Sequence, residues 1–301
     1  MMRSFLEATA RERIAALCDC GSWREIAPPS ARLTSPHLPQ LGAPLAFDDG
    51  CVIGRARLEG QKILIAAQEG GFMGGAIGEV HGAKLTGLLR LAARDKPQAV
   101  LLLLESGGVR LHEANAGLLA VAEVLRALLD ARAAGVPVLV LLGGANGCYG
   151  GAGIIARCAN WIVMSEQARL AMSGPEVIES VRGVEEFDAR DRALVWRVAG
   201  GKHRYLLGEA EALVEDDMHA FRAAACAGLA SSASAALDLS RLQREQAQLQ
   251  QRLQDFAACS DPEQIWRALG LQQDNLREQV ALADAAQICA WRAALPAREG
   301  V

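Results

Sequence analysis

The sequence predicts an α/β core wound from strand–helix–strand units, followed by a helical C-terminal region. Three observations carry this. Short leucine-rich or β-branched runs recur between Phe47 and Trp196, each bounded by Gly, Pro or Asn. Stretches with apolar residues at helical spacing fill the intervals between them. After Gly200 the strand signals vanish, and residues 210–301 are rich in Ala, Gln, Arg and Leu.

Taken in order, residues 1–45 read as a helix and an extended arm, the arm carrying Pro28, Pro29, Pro36 and Pro39. Residues 46–205 form the α/β core. Its buried strands are expected at 62–67, 99–104, 136–142 and 161–164. Residues 118–133 place Leu118, Val121, Val124, Leu125 and Leu128 on one helical face, and Gly135-Val136-Pro137 ends that helix. Repetition of strand, glycine turn and helix implies right-handed crossovers. Ser173-Gly174-Pro175-Glu176 reads as a helix start with a serine cap, structural support rather than chemistry. In the region 206–301, Leu239, Leu242, Leu249, Leu253 and Phe256 fall on a heptad seam with Gln246 as its polar exception. That seam suits either a hairpin packed on the core or a contact between subunits.

Composition narrows the function. The 301 residues are 51% hydrophobic and 22% charged, as in a globular chain. Lys and Arg number 31 against 35 Asp and Glu, so no basic surplus exists for a nucleic-acid backbone. The eight cysteines include no Cys-x-x-Cys pair, which removes a zinc ribbon and a thioredoxin-type redox pair. Charged residues interrupt the N-terminus, and no apolar run approaches the ~20 residues of a membrane span. A cytoplasmic protein is expected, with no membrane and no metal.

Three glycine clusters follow three of the expected strands. They are Gly70 to Gly78, then Ser106-Gly107-Gly108-Val109-Arg110 behind Glu105, then Gly143 to Gly153. Each stands where a strand hands over to a helix, at the sheet edge that holds ligands in α/β folds. A helix start exposes unpaired N–H groups and partial positive charge, and glycine lets an oxygen approach them. Converging donors of this kind form an oxyanion hole. One cluster alone is a turn; three in register point to a site. No Gly-x-Gly-x-x-Gly stands in the first βα turn, and neither Gly-Lys-Ser/Thr nor Gly-x-Ser-x-Gly occurs. Dinucleotide, P-loop and hydrolase-elbow readings therefore fail.

The same residues resemble a known family. Phe72-Met73-Gly74-Gly75-Ala76-Ile77-Gly78 with Lys84, Ser106-Gly107-Gly108-Val109-Arg110-Leu111-His112-Glu113, Tyr149-Gly150-Gly151-Ala152 and Ser173-Gly174-Pro175-Glu176-Val177-Ile178-Glu179 are similar, in order, to segments of acyl-CoA carboxyltransferase β subunits. His112 stands where that family has glutamine, Tyr149 where it has alanine, and the zinc ribbon is missing. In this the chain resembles the β subunits of biotin-independent malonate decarboxylases. The resemblance implies a crotonase-like (ClpP/crotonase) ββα superhelix, a homologous γ subunit as partner, and decarboxylation of a malonyl thioester on an acyl-carrier protein. The carrier's prosthetic group would be coenzyme A-like, loaded by a separate acyl-carrier-protein transferase subunit, with neither biotin nor metal. Backbone N–H groups of Gly150 and Gly151 are expected to hold the enolate oxygen, with Gly107 and Gly108 on the opposite wall.

Side chains leave alternatives open. Tyr149 and His112 suit orientation of a carboxylate or proton transfer, or plain packing and loop hydrogen bonding. Arg110 suits an anion clamp or an internal ion pair with a carboxylate such as Glu105. Lys84 and His81 suit a solvated helix face or contacts to prosthetic-group phosphates near Gly74 and Gly75. Cys148, set between glycines, is a possible reactive thiol. Two other functions stay in play: a carboxyltransferase β subunit of a biotin-dependent acyl-CoA carboxylase, and a non-catalytic scaffold.

Overall fold

A computed structural model describes residues 4–231 and 238–295. Its elements run α1 (Ala10–Leu17), β1 (Arg24–Ile26), β2 (Cys51–Leu58), β3 (Gln61–Gln68), α2 (Glu79–Asp95), β4 (Ala99–Leu103), α3 (Asn115–Ala133), β5 (Val138–Leu142), α4 (Gly150–Arg157) and β6 (Trp161–Ser165). Then come α5 (Pro175–Arg182), α6 (Arg192–Ala199), α7 (Gly201–Leu206), β7 (Ala212–Val214), α8 (Met218–Ser231), α9 (Leu239–Asp255), α10 (Pro262–Leu269), α11 (Leu276–Leu282) and α12 (Ala285–Ala294).

The strands form one sheet in sequence order, β1 to β7. β1, β2 and β3 pair antiparallel; β3 to β7 run parallel. Every expected strand is present within a residue or two, because continuous apolar runs suit strands buried on both faces. Alternation divides those runs. Leu64, Ala66, Val100, Leu102, Val138 and Val140 pack under α2, α3 and α4, while Ile63, Ile65, Leu101, Leu103, Leu139 and Leu141 face α1 and α8. The crossover helices α2, α3 and α4 thus cover one face in succession, and helices from the two ends of the core cover the other.

The expected N-terminal helix is α1, and it is docked: Phe5, Ile14 and Leu17 are buried in the sheet core, and Phe5 stacks on Phe221 of α8 at 4.0 Å. Two expectations are corrected. Strand structure does not end at Gly200, since Ala212–Val214 adds the last strand beside β6; three residues are too few for periodicity to reveal. α5 has Gly174 rather than Ser173 at its cap, with Pro175 in the first turn and no side-chain capping bond.

The C-terminal helices α10, α11 and α12 gather around a smaller core of Trp266, Leu271, Leu276, Val280 and Ile288. α9 is different. Its Arg252 Nη2 donates to Leu207 O at 2.6 Å, which ties the helix to the chain, while its seam leucines keep between 47% (Leu242) and 75% (Leu253) of their surface in solvent. Residues 232–237 and 296–301 of the expected helical region lie outside the described residues.

Candidate functional site

The glycine clusters stack in strand order beyond the carboxyl ends of β3, β4 and β5, and backbone bonds stitch them together. Gly107 N–H donates to Gly74 O at 2.9 Å, and Ile77 N–H to Gly108 O at 2.9 Å. Ser106 N–H donates to Gly147 O at 2.7 Å, and Tyr149 N–H to Ser106 O at 2.9 Å. Cys148 N–H reaches Arg169 O at 2.8 Å, which extends the stack to the segment after β6.

This stitching decides which donors are open. Gly107 N–H is spent on Gly74, Gly108 N–H on Ser106 Oγ at 3.1 Å, and Gly150 N–H on Met172 O at 2.9 Å. Gly151 N–H and Ala152 N–H, in the first turn of α4, have no partner among the described residues; Gly153 N–H already reaches back to Tyr149 O. The expected Gly150–Gly151 donor pair therefore shifts by one residue, to Gly151 and Ala152. Space remains above the loops. A Cβ on Gly108 would meet nothing within 4 Å, and one on Gly107 only Gly74 O at 3.7 Å.

Most of the charged residues singled out in the sequence are used inside the chain. Lys84 is 5% exposed rather than on a solvated helix face, and its ammonium donates to the carbonyls of Cys51, Asp48 and Ala27. Arg110 is 1% exposed; its Nη1 lies 3.0 Å from both Asp49 carboxylate oxygens and 3.3 Å from Glu113 Oε1. Its partners are thus Asp49 and Glu113 rather than Glu105, and it is no anion clamp. Burial lifts the Asp49 carboxyl above its ordinary value while Arg110 pulls it down. Gly78 is bare because a Cβ there would strike Arg110 and Glu113.

His81 is fully buried rather than on a solvated face, and burial pushes its pKa down to about 3. Its ring nitrogen Nε2 takes the Gln68 amide at 3.0 Å. Cys148 is also fully buried, and burial alone drives its thiol far above the ordinary value, so it is inert. Tyr149 is 4% exposed between Gly147 and Gly174, with Arg169 6.0 Å from its ring centre; burial raises its pKa. Its hydroxyl makes no hydrogen bond among the described residues. His112 stands exposed on the short turn Leu111–Glu113. Gly75 is bare for packing, because a Cβ there would fall on Glu105 O.

The carboxyl transferase domain pattern matches residues 7–227. The chain belongs to the carboxyl transferase family. Its relatives in this family include the malonyl-S-ACP:biotin-protein carboxyltransferase MADC of Malonomonas rubra, 45% identical over 234 residues, which are 73% of each chain. A crystal structure of a Pseudomonas malonate decarboxylase hetero-tetramer in complex with malonate holds a chain 42% identical, with a TM-score of 0.77 over 82% of this chain and 91% of that one. In the Pseudomonas MdcD–MdcE hetero-dimer the values are 37% and 0.66, over 82% and 96%. The fold is thus the crotonase-like superhelix of the carboxyl transferase family.

Several residues of this family member shape the site in roles that the sequence did not assign to them. Glu105 carries Arg13 and Asn146 on its carboxylate, and Ala152 supplies an open donor. Asn146 was visible as a polar residue among glycines; nothing local marks Arg13, which arrives from α1.

Proposed function

We propose that this chain is a subunit of a cytoplasmic malonate decarboxylase. With a homologous γ subunit it converts a malonyl thioester on an acyl-carrier protein to the acetyl thioester and CO2. The observation that carries the reading is the open pair of donors, Gly151 N–H and Ala152 N–H, at the helix start beyond β5. Similarity to the Pseudomonas decarboxylase chain over nearly the whole of that chain supports it.

The chemistry follows from where electrons go. When the carboxylate leaves, the C–C bonding pair enters the thioester carbonyl and makes an enolate; a proton then adds to carbon to give the acetyl group. Donors fixed at the enolate oxygen lower the barrier because they need no reorganisation. Gly151 and Ala152 would hold that oxygen, and the bare loop at Gly107 and Gly108 leaves room for the thioester. The carrier's coenzyme A-like prosthetic group would bring the thioester in, after the transferase subunit has loaded malonate. Its phosphates find no partner in Lys84 or Arg110, so their contacts fall to other residues or to the γ subunit. Tyr149 and His112 serve the site by position, Tyr149 buried behind the helix start and His112 at its rim. Apolar side chains left in solvent beside the site fit a partner surface: Leu111, Leu118, Leu119, Met172 and Val177.

A second reading has one specific support. The Malonomonas rubra relative is a biotin-protein carboxyltransferase, and the same enolate serves carboxyl transfer to biotin. The test is to purify the chain with its homologous partner and measure CO2 release from a malonyl thioester, with and without avidin. Release untouched by avidin is the expected result. Abolition by avidin selects the carboxyltransferase, and no turnover in either condition overturns both.

A further inference from the structure

The glycines of the three clusters do not all face the site. A Cβ on Gly70 would fall on Glu105 Oε1, and one on Gly144 on Glu105 Oε2. The first and third clusters are bare at these points because a carboxylate occupies the space. Glu105, at the head of the second cluster, is 3% exposed. Its Oε2 takes Arg13 Nη1 from α1, and its Oε1 takes Asn146 N–H at 3.2 Å and Asn146 Nδ2 at 2.9 Å. Asn146 Nδ2 also donates to Gly70 O at 3.1 Å, and Glu105 N–H donates to Gln68 Oε1 at 2.7 Å. One buried carboxylate thereby joins all three clusters and the N-terminal helix.

We propose that Glu105 is a positioning residue: it fixes Asn146, and through Asn146 the turn that aims the Gly151 and Ala152 N–H groups. The argument is geometric. Between β5 and α4 the chain crosses Gly143 to Tyr149, with Gly147 in the left-handed region at φ 69°. Asn146 is the side chain in that turn tied to another cluster, and its anchor is Glu105. Arg13 makes the charge tolerable, since a buried carboxylate without a counter-ion is strongly disfavoured. Arg13 is itself held, by Phe5 O at 2.8 Å and by its guanidinium lying 4.6 Å from the Phe5 ring centre. The role divides: one oxygen balances charge, the other sets geometry.

The inference rests on the decarboxylase reading for its activity arm only. In the complex, Asn146→Ala is expected to lower kcat about thirtyfold with KM within about twofold, as small misplacements of catalytic donors do. Glu105→Gln/Arg13→Met keeps an acceptor for Asn146 and removes both charges, and is expected to turn over within about threefold of wild type. Glu105→Ala/Arg13→Met, matched to it in melting temperature, is expected to fall about thirtyfold. Equal kcat in the two double variants overturns the proposal. A second arm uses no activity: in the full chain, Asn146→Ala is expected to speed amide hydrogen exchange across residues 144–152 and leave β4 protected. Unchanged exchange there overturns the proposal even if the complex proves to have a different reaction. If the double variants fail to fold, Asn146→Ala decides alone, because it removes no charge.

Discussion

The loop end of the sheet and the helix α9 are opposite solutions to the same composition. At the loop end, charged side chains are buried and each is held: Arg13 on Glu105, Arg110 on Asp49 and Glu113, Lys84 on three carbonyls. On α9 an apolar seam stands in water. Burying a charge is costly unless partners meet it, so the loop end is a region of many constraints and one arrangement. α9 satisfies its own backbone and leaves half or more of the surface of Leu239 and Leu253, and nearly half of that of Leu242 and Leu249, in solvent. Amphipathic spacing announces a helix but not what covers it, whereas the groups that organise the site carry no spacing signal at all.

Four changes test that contrast, in falling order of effect. Gly151→Val is expected to lower malonyl-thioester decarboxylation by about two to three decades, measured as kcat of the complex. A Cβ at Gly151 meets the Val121 methyls at 2.7 and 2.8 Å, so some stability goes with it. A variant that kept the full rate would detach the α4 helix start from catalysis.

Gly70→Ala drives a methyl onto the Glu105 carboxylate and the Asn146 amide. Breaking a buried ion pair costs about 3 kcal/mol, and urea unfolding should show a loss of that order. Gly71→Ala, one residue on, where a Cβ would meet only Glu69 Oε1 at 3.4 Å, is the control for the loss of a loop glycine alone.

Histidine joins the two halves of the molecule in one pH response. His81 in the core and His203 beneath Trp266 are both buried, and burial lowers each from 6.5 to about 3. Trp266 Nε1 donates to His203 Nδ1 at 3.1 Å, which requires that nitrogen unprotonated. The unfolded chain takes up protons below about pH 6.5 and the folded chain does not until about 3. Stability is therefore complete above 6.5 and lost as pH falls toward 3. Melting temperature followed by tryptophan fluorescence should fall across that window, and a flat profile would contradict the buried neutral rings.

The smallest effect is expected on α9. Leu249→Gln and Leu253→Gln should shift the chain's unfolding free energy by less than about 0.5 kcal/mol, as surface changes do. A larger loss in calorimetry would show that these two leucines are held by the chain itself.

Much of this was legible in advance, and the physical reason differs by element. β3, β4, β5 and β6 were readable because strands buried on both faces must be apolar throughout. The loop positions were readable because sharp turns after strands draw glycine. The role of each glycine was not. Gly70 and Gly144 make room for Glu105, Gly78 for Arg110, and Gly107 and Gly108 for open space, yet all read alike in one dimension. The β2 strand hid its neighbour Lys84 for the same reason: a lysine on a helix reads as solvated until the strand carbonyls it meets are placed. Gly150 shows the finest limit, since only the passing Met172 carbonyl decides that its N–H is closed and the next one open.

The stacking of Phe5 on Phe221 carries a consequence for how the protein is made. Parallel strands added in order let each new unit dock on the last as it leaves the ribosome. The sheet face under α1, however, waits for α8 to close it, more than two hundred residues later in synthesis. Until then Phe5 lacks its partner ring, and nascent chains halted before α8 would present a bare greasy wall to chaperones. Closure of that face is thus among the last events of translation through this domain, not the first.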